Sequence, residues 1–269
     1  MTLRTYRSVL TILSLLLCAG EARAELIVLY DQDFESPANF ANNGGDVNIF
    51  TSVNQNYGGQ PAGFEFAQAF TVETINVSGS RRGAGTAAFG TGYSDPAGAA
   101  GDFVIGLLST LENDLLGLSF NVGEFSFLNV SVDVTSLDLS TFNGPFVPPG
   151  PAGIPTFQFT LFDNPGGTTN TGTGTILDRT TVTATESART VIDFTTAVLA
   201  LSTEGNTNGN VILQIDLLTG GYAAFDNLLI TASDIPGNVP EPDTLLLLAF
   251  GFSGLLLRRA GRAQAVPED

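Results

Sequence analysis

Short runs of alternating apolar and polar residues recur through the middle of the chain, and they limit its fold more than any other feature. In Thr156 to Phe162 (TFQFTLF) and Val211 to Leu217 (VILQIDL), every second side chain is apolar. Neighbouring side chains of a strand point to opposite faces, so this period of two predicts half-buried β-strands. Clusters such as Asp163-Asn164-Pro165-Gly166-Gly167 predict turns between them. The pattern therefore predicts an all-β fold, an antiparallel β-sandwich of jelly-roll type.

Other segments suit the same architecture with less regular patterns. Further strands are expected at Leu26 to Tyr30, Phe64 to Val77, Phe120 to Val134, Ile176 to Thr185, Thr190 to Phe194 and Tyr222 to Ile230. Two segments stay ambiguous between strand and helix. Phe103 to Leu118 suits a short helix at least as well as a strand, because its apolar residues satisfy both periods. Thr195 to Leu201 is open to one helical turn or more.

The first residues have the three parts of a secretory signal. Two arginines precede an apolar run from residue 8 to residue 20, and Ala22-Arg23-Ala24 follows with the small-x-small form of a signal peptidase site. This arrangement predicts a signal helix within residues 1–24, with Ala22 and Ala24 recognised by the peptidase and the cut after Ala24. The rest of the chain is then exported.

Several residue types are missing, and their absence excludes whole classes of chemistry. The chain contains no His, Lys or Trp, and its one cysteine, Cys18, lies in the predicted signal peptide. A lipoprotein signal at Cys18 is disfavoured, because Leu17 stands where that signal needs a small residue. Nucleophilic sites built on His, Lys or Cys cannot form in the mature protein, and zinc and copper lose their usual ligands. Carboxylate-based glycoside hydrolysis and oxygen-ligated metal sites remain open.

The charge of the exported part is strongly negative. The chain has 27 acidic residues against 10 basic ones and a formal net charge of −17, and only four arginines lie between the two end segments. A surface of this kind repels nucleic acid and anionic lipid. It favours Ca²⁺ and cationic partners, or it simply keeps an exported protein soluble.

The C-terminal region has three parts in a fixed order. Val239-Pro240-Glu241-Pro242 is short and stiff, because each proline fixes its own φ and favours an extended residue before it. Thr244 to Leu257 carries no charge and seven leucines, and Arg258, Arg259 and Arg262 follow it. As a helix, the 14 apolar residues reach about 21 Å, short of a hydrocarbon core of about 30 Å. The arginines suit a cytoplasmic flank, so the segment is predicted to be a transmembrane helix that anchors the protein weakly.

This order of parts resembles the PEP-CTERM sorting signal of bacterial exported proteins. The resemblance implies that an exosortase, a membrane-embedded cysteine peptidase, cuts near Val239, Pro240, Glu241 and Pro242. The apolar segment then holds the chain in the inner membrane until the cut, and the arginines retain it there. Two departures, Asp243 and the seven residues after Arg262, leave the cut site open. An ordinary single-span tail anchor is the alternative.

The predicted organisation combines both ends with one domain between them. It is a signal peptide over residues 1–24, an exported sandwich domain over 25–234, a linker and sorting segment over 235–262, and a short cytoplasmic tail over 263–269. The resemblance implies a final location at the cell surface or in the extracellular matrix. It also implies a bacterium that makes exopolysaccharide, a candidate partner in a biofilm matrix. Nucleic acid is not an expected partner.

Two short motifs resemble the jelly-roll carbohydrate-binding modules. They are Asp33-Phe34-Glu35-Ser36 near the start and Phe225-Asp226-Asn227-Leu228 in the last predicted strand. The resemblance implies a structural Ca²⁺ held by Glu35 and Asp226, with Asp33 or Asp31 as a third ligand. Alternatively, Asp226-Asn227 forms a bulge or an edge cap, and Asp31 to Glu35 forms a solvated turn.

The function predicted from the sequence is that of a non-enzymatic exported protein sorted by an exosortase. The alternative is a calcium-stabilised carbohydrate-binding module. Such modules usually offer aromatic platforms to sugars, and only Tyr57 and Tyr93, in glycine-rich loops, are candidates for that role here. A carboxylate glycoside hydrolase is a more distant alternative, because the sequence does not single out a catalytic pair.

Overall fold

The computed structural model of the chain describes residues 25–40, 47–48, 56–57, 65–66, 72–77, 96–107, 115–136, 154–167, 174–185, 193–220 and 223–237. The strands are β1 (Leu26–Gln32), β2 (Val47–Asn48), β3 (Glu65–Phe66), β4 (Val72–Asn76), β5 (Phe103–Leu107), β6 (Leu115–Asn121), β7 (Phe127–Ser136), β8 (Thr156–Asp163), β9 (Ile176–Thr183), β10 (Thr195–Ser202), β11 (Asn210–Thr219) and β12 (Ala223–Ser233). The predicted signal helix and the predicted sorting tail lie outside the described residues. Within the described ranges, no helix is long and apolar enough to cross a membrane.

The strands form two sheets with antiparallel ladders. The larger sheet has seven strands in the order β10-β7-β12-β5-β4-β2, with β1 also paired to β12. The smaller sheet has five strands in the order β3-β6-β11-β8-β9. This arrangement confirms the predicted all-β antiparallel architecture, while the jelly-roll assignment stays a prediction.

The core lies between the two sheets and follows the alternation of the sequence. In β8, Phe157, Phe159 and Leu161 are fully buried, and in β11 Leu213 and Ile215 meet them in the same apolar cluster. Each buried side chain of this size contributes about 1.5–3 kcal/mol to the stability of the fold. The polar residues between them point to the outer face of the smaller sheet, as a period of two requires.

Neither ambiguous segment forms a helix in the described residues. Phe103 to Leu118 supplies β5 and the start of β6, and Thr195 to Leu201 lies within β10. The helical alternative is therefore wrong for Thr195 to Leu201 and for the described ends of Phe103 to Leu118, whose residues 108–114 lie outside the described residues. The residues of β10 pair with β7 along its whole length, and Leu201 is buried in the core. Pairing and burial in the sheet outweigh a weak local preference for helix.

The predicted strand from Phe120 to Val134 is interrupted. Its first residues end β6, its last residues begin β7, and a turn at Gly123 and Glu124 separates them. Gly123 has a φ of 61°, which favours glycine. Phe120 and Val122 before the turn and Val130, Val132 and Val134 after it line the same core from two different sheets, and this continuity of the apolar pattern conceals the turn in the sequence.

The central strand of the larger sheet, β12, has two different neighbours on one edge. Its first residues, Ala223 to Phe225, pair with β5, and Leu228 to Ser233 pair with β1. Since β1 and β5 both run antiparallel to β12, they lie end to end along it. They meet beside Asp226 and Asn227, where the register against β7 also shifts. Asn227 has a φ of 49°, so this point is a β-bulge with a left-handed residue.

Candidate metal centre

The chain leaving β1 is fixed at the junction by one buried aromatic ring. Phe34 is fully buried and meets Tyr57 and Phe225 edge-on, with ring centroids 5.2 Å and 5.7 Å away. Its φ of 56° is unfavourable for a residue with a Cβ. Burial of the ring and its aromatic contacts offset that cost. Phe34 therefore anchors a sharp bend that carries Asp33 and Glu35 on either side of it.

Glu35 bridges the end of β1 and the start of β5. Its carboxylate accepts hydrogen bonds from the backbone N–H of Asp102 at 2.7 Å (Oε2) and of Phe103 at 3.3 Å (Oε1). Partial burial raises the pKa of the Glu35 carboxyl, while these two backbone donors act in the opposite direction. Asp33 supports the bend, since its Oδ1 accepts a hydrogen bond from the Glu35 N–H at 3.1 Å. The segment is thus a strand-capping bend and not the solvated turn of the alternative interpretation.

Asp226 lies on β12 where its neighbour changes from β5 to β1. The residue is only 1% exposed, and its Oδ1 accepts a hydrogen bond from the Asn227 N–H at 2.8 Å. Its Oδ2 is buried without a hydrogen-bond partner among the described residues. Burial, together with the nearby carboxylates of Glu35, Asp133 and Asp33, raises the pKa of Asp226 to about 9, while the hydrogen bond from the Asn227 N–H acts in the opposite direction. A buried carboxylate oxygen without a partner destabilises the fold unless it binds a proton or a cation.

A second aspartate lies directly across the ladder from Asp226. Asp133 of β7 is its register partner, and like charges in such a pair destabilise a sheet. Asn227 reduces this repulsion, because its Nδ2 donates to Asp133 Oδ2 at 2.9 Å and to the Ala99 carbonyl at 3.1 Å. The Thr196 hydroxyl donates to the other Asp133 oxygen. Asp133 was not predicted as a site residue, since only the register reveals that it faces Asp226, and Asn227 was part of the predicted motif without a role of its own.

The donor set fits a hard cation in part. Carboxylate oxygens, backbone carbonyls and water are the ligands of Ca²⁺, and Asp226 Oδ2 is buried and unpaired. Among the described residues, however, no group of three or more His, Cys, Asp or Glu side chains lies close enough together to hold a metal ion. Calcium would thus be held by Asp226 and a neighbouring carboxylate of Glu35 or Asp33, together with backbone or water oxygens. Asp31, the other third ligand considered, is exposed on β1 opposite Leu229.

Tyr57, one of the two tyrosines predicted to bind sugar, does not form an exposed platform. Tyr57 is 2% exposed and belongs to the core, where its ring contacts Phe34. The ring faces of Tyr57 are therefore covered by protein, which differs from the platform expected of it. Its glycine-rich surroundings suggested a loop tip, but the ring instead fills the space beneath the Phe34 bend. Tyr93 lies outside the described residues.

Comparison with known proteins identifies the C-terminal segment. Residues 238–260 match the PEP-CTERM protein-sorting motif, which confirms the resemblance found in the sequence. The motif implies an exported protein that an exosortase processes and that is sorted to the cell surface through a transient stay in the membrane. No curated protein matches the sequence.

Several solved structures are similar over most of the chain at low identity. One is a Stig cyclase of Fischerella sp. TAU, at 12% identity and a TM-score of 0.41, covering 78% of this chain and 98% of that one. Another is a carbohydrate-binding module, CBM4, at 12% identity and a TM-score of 0.34, covering 75% and 97%. A third is the CBM22-1-GH10 part of xylanase 10B of Clostridium thermocellum, at 12% and 0.38, covering 80% and 30%. These values carry no argument about what the chain binds or catalyses.

Glu35 packs so closely against the loop before β5 that one methyl group added at Gly101 should destabilise the fold. A Cβ at Gly101 would overlap the Glu35 carboxylate, whereas nothing lies within 4 Å of a Cβ at Gly98. Both glycines have a positive φ, 51° and 67°, so alanine at either position costs about 1–2 kcal/mol in the backbone. Gly101→Ala should cost about 1–3 kcal/mol more, because it displaces the carboxylate from its two N–H donors. Equal losses in urea unfolding of the two variants would contradict this role of Glu35.

The burial of Asp226 predicts how stability depends on pH in the presence of a chelator. Its pKa rises from 3.8 to about 9 on folding, so the folded protein holds a proton that the unfolded chain releases. The resulting stability is fully present below about pH 4 and is lost as the pH rises towards 9. Thermal unfolding should therefore show a falling melting temperature from pH 6 to pH 9, and Asp226→Asn should flatten that fall.

Asp216 on β11 is the matched control for this measurement. Burial raises its pKa to about 6, so its own contribution is lost by about pH 6. Asp216→Asn should flatten the profile only between about pH 4 and 6. If Asp226→Asn left the profile above pH 6 unchanged, the buried carboxyl would not be the group that titrates there.

Proposed function

We propose that this chain is a non-enzymatic exported protein that an exosortase sorts to the cell surface or the extracellular matrix. The observation that carries the proposal is the position of the sorting motif. It occupies residues 238–260 and begins directly after Gly237, the last of the described residues, whose N–H is hydrogen-bonded to Asn129 of the sandwich. One folded domain is thus followed at once by the sorting segment. The absence of His and Lys, and of Cys beyond the signal peptide, supports a role without catalysis.

Each part of the tail has its own role in this proposal. Residues Val239 to Pro242 form the recognition and cleavage region, and Thr244 to Leu257 form a transmembrane anchor too short to be permanent. Arg258, Arg259 and Arg262 stay on the cytoplasmic side and retain the chain until the cut. Exopolysaccharide outside the cell is the proposed surrounding of the released domain.

Intact mass spectrometry of the protein from each cell fraction of its host tests this sorting route. The released form should begin at Glu25 and end between Val239 and Asp243, because the signal peptidase and the exosortase each remove one end. A membrane form that still carries Arg258 to Asp269, with no shorter form elsewhere, would indicate a plain tail anchor and contradict the proposal.

Charge reversal tests the proposed role of the arginines. Changing Arg258 and Arg259 together to Glu should disturb retention, because the positive flank that favours the cytoplasmic side is lost. Cell fractionation and the mass of each form measure the result. Arg81 and Arg82 in the exported region, changed in the same way, serve as the control. Unchanged processing in the tail variant would exclude a sorting role for these two arginines.

A calcium-stabilised carbohydrate-binding module is the second candidate for the exported domain. The unpaired, buried Asp226 Oδ2 favours it, since the oxygen lies beside the carboxylates of Glu35 and Asp133. A cation there would neutralise charges that otherwise repel. In this proposal the ion is structural and joins β1 to β12. The sugar would bind elsewhere on the domain.

Calcium should then raise the melting temperature of the domain. At a calcium concentration about ten times the dissociation constant, the expected gain is about 1.4 kcal/mol, or roughly 3–6 °C for a domain of this size. Asp226→Asn should remove the gain, and Asp216→Asn should keep it. Calorimetric scans with calcium and with EDTA measure both. No shift in the unmodified protein at millimolar calcium would exclude the site.

A further inference from the structure

The chain does not leave the sandwich at the end of β12. After Ser233 it turns across the outer face of the larger sheet, the side away from the smaller sheet, towards β10. A Cβ at Gly237 would lie 3.9 Å from Cγ1 of Val198 on that strand. The segment therefore crosses β7, a distance of about two strand spacings or roughly 10 Å. The exit path is a part of the folded domain.

Asn129 of β7 holds this crossing with both ends of its amide. Its Nδ2 donates to Ser233 Oγ at 2.9 Å, and its Oδ1 accepts a hydrogen bond from the Gly237 N–H at 2.7 Å. Leu128 and Val130 belong to the core, so alternation places Asn129 on the outer face. Asn129 is nevertheless 0% exposed. The crossing segment lies over its amide.

Two further side chains complete the attachment. Ser233 Oγ accepts from the Ile235 N–H at 3.3 Å and donates to the Ile235 carbonyl at 2.8 Å, so its hydrogen-bonding capacity is used. Asp234 Oδ1 accepts from Ser126 N–H at 3.1 Å and from its hydroxyl at 2.9 Å. We call residues 234–237 with Asn129, Ser126 and Ser233 the exit clamp.

The clamp lies very close to the sorting motif. From Gly237 to Pro240 there are three residues, which span at most about 10 Å even when fully extended. An extended peptide is commonly recognised as an added strand, through its backbone groups. The backbone donors of Ile235 and Gly237 are already engaged in the clamp. A peptidase that needs the residues before Pro240 must therefore compete with Asn129.

We propose that the exit clamp limits exosortase processing and that Asn129 is its positioning residue. The inference rests on the proposed function. In the processing step one peptide bond breaks; its acyl carbon passes to water or to another incoming nucleophile, and the amine takes up the proton and leaves with the tail. Asn129 takes no part in that exchange. It sets how often the residues before the cut are free to enter the enzyme.

Processing rates of four variants in the host test the proposal by pulse-chase. Asn129→Ala should be processed about tenfold faster, because two hydrogen bonds of the clamp are lost. Insertion of Gly-Ser-Gly-Ser between Gly237 and Asn238 should have a similar effect without touching the sandwich. Asn129→Ala combined with the insertion should be no faster than the insertion alone. Asn56→Ala removes another fully buried asparagine, which bonds Thr74 far from the exit, and should be processed at the rate of the unmodified chain.

Hydrogen exchange on the released protein provides an independent measurement. The amides of Ile235 and Gly237 should be protected in the unmodified protein and exchange about tenfold faster in Asn129→Ala. Unprotected amides in the unmodified protein would overturn the clamp itself. Unchanged processing of both Asn129→Ala and the insertion variant would overturn its role in sorting, and so would equal acceleration by Asn56→Ala.

The two proposals can fail separately. If the unmodified chain is never cut, the proposed sorting route is wrong and the clamp has no processing to limit, although its amides would still be protected. If the chain is cut at the same rate with and without the clamp, sorting stands and the role of Asn129 does not. Slower processing of Asn129→Ala than of the unmodified chain would also overturn the inference, since the clamp would then present the motif.

Discussion

The larger sheet depends on how β12 shares one edge between two strands. β1 and β5 lie end to end along it, and neither alone would cover its row of hydrogen-bonding groups. Their joint is closed by Glu35, whose carboxylate accepts hydrogen bonds from the N–H groups of Asp102, just before β5, and of Phe103, its first residue. Phe34 fixes Glu35 there because its ring is buried beneath the joint. A surface carboxylate and a core aromatic, adjacent in sequence, thus connect the first strand to the middle of the sheet.

This joint concentrates negative charge in a protein that is already acidic. Asp226 and Asp133 face each other across the ladder, and Glu35 and Asp33 lie near enough to raise the pKa of Asp226. A proton or a cation at the buried Asp226 oxygen would relieve this repulsion, and the two would exclude each other. In the proposed calcium site, stability at low pH without metal and stability at neutral pH with calcium would then be two states of one site. The Asn227 side chain lowers the electrostatic repulsion with or without a cation, because it donates a hydrogen bond to Asp133.

Sequence reasoning succeeded where one local pattern decides the outcome. Strands such as β8 and β11 alternate so regularly that their core faces were predictable, and a bulge was one of the alternatives considered for Asp226-Asn227. It failed where pairing decides. Thr195 to Leu201 has a mixed pattern, and it forms a strand because it pairs with β7 along its whole length. The contact of Asp226 with Asp133 depends on register, which no single sequence displays. Tyr57 appeared to be a loop residue, and only the position of Phe34 explains why its ring is buried.

The exit clamp links the folded domain to its sorting tail through folding itself. Asn129, Ser126 and Ser233 come together only after β7 and β12 have paired, because 104 residues separate Asn129 from Ser233. A chain whose sandwich is unfinished cannot form the clamp, so its residues before Pro240 stay open to any peptidase that reaches them. In a completed sandwich, residues 234–237 are held on the outer face of the sheet. The clamp therefore makes the rate of the cut depend on the folded state, and in the direction that keeps finished protein in the membrane longer than unfinished protein.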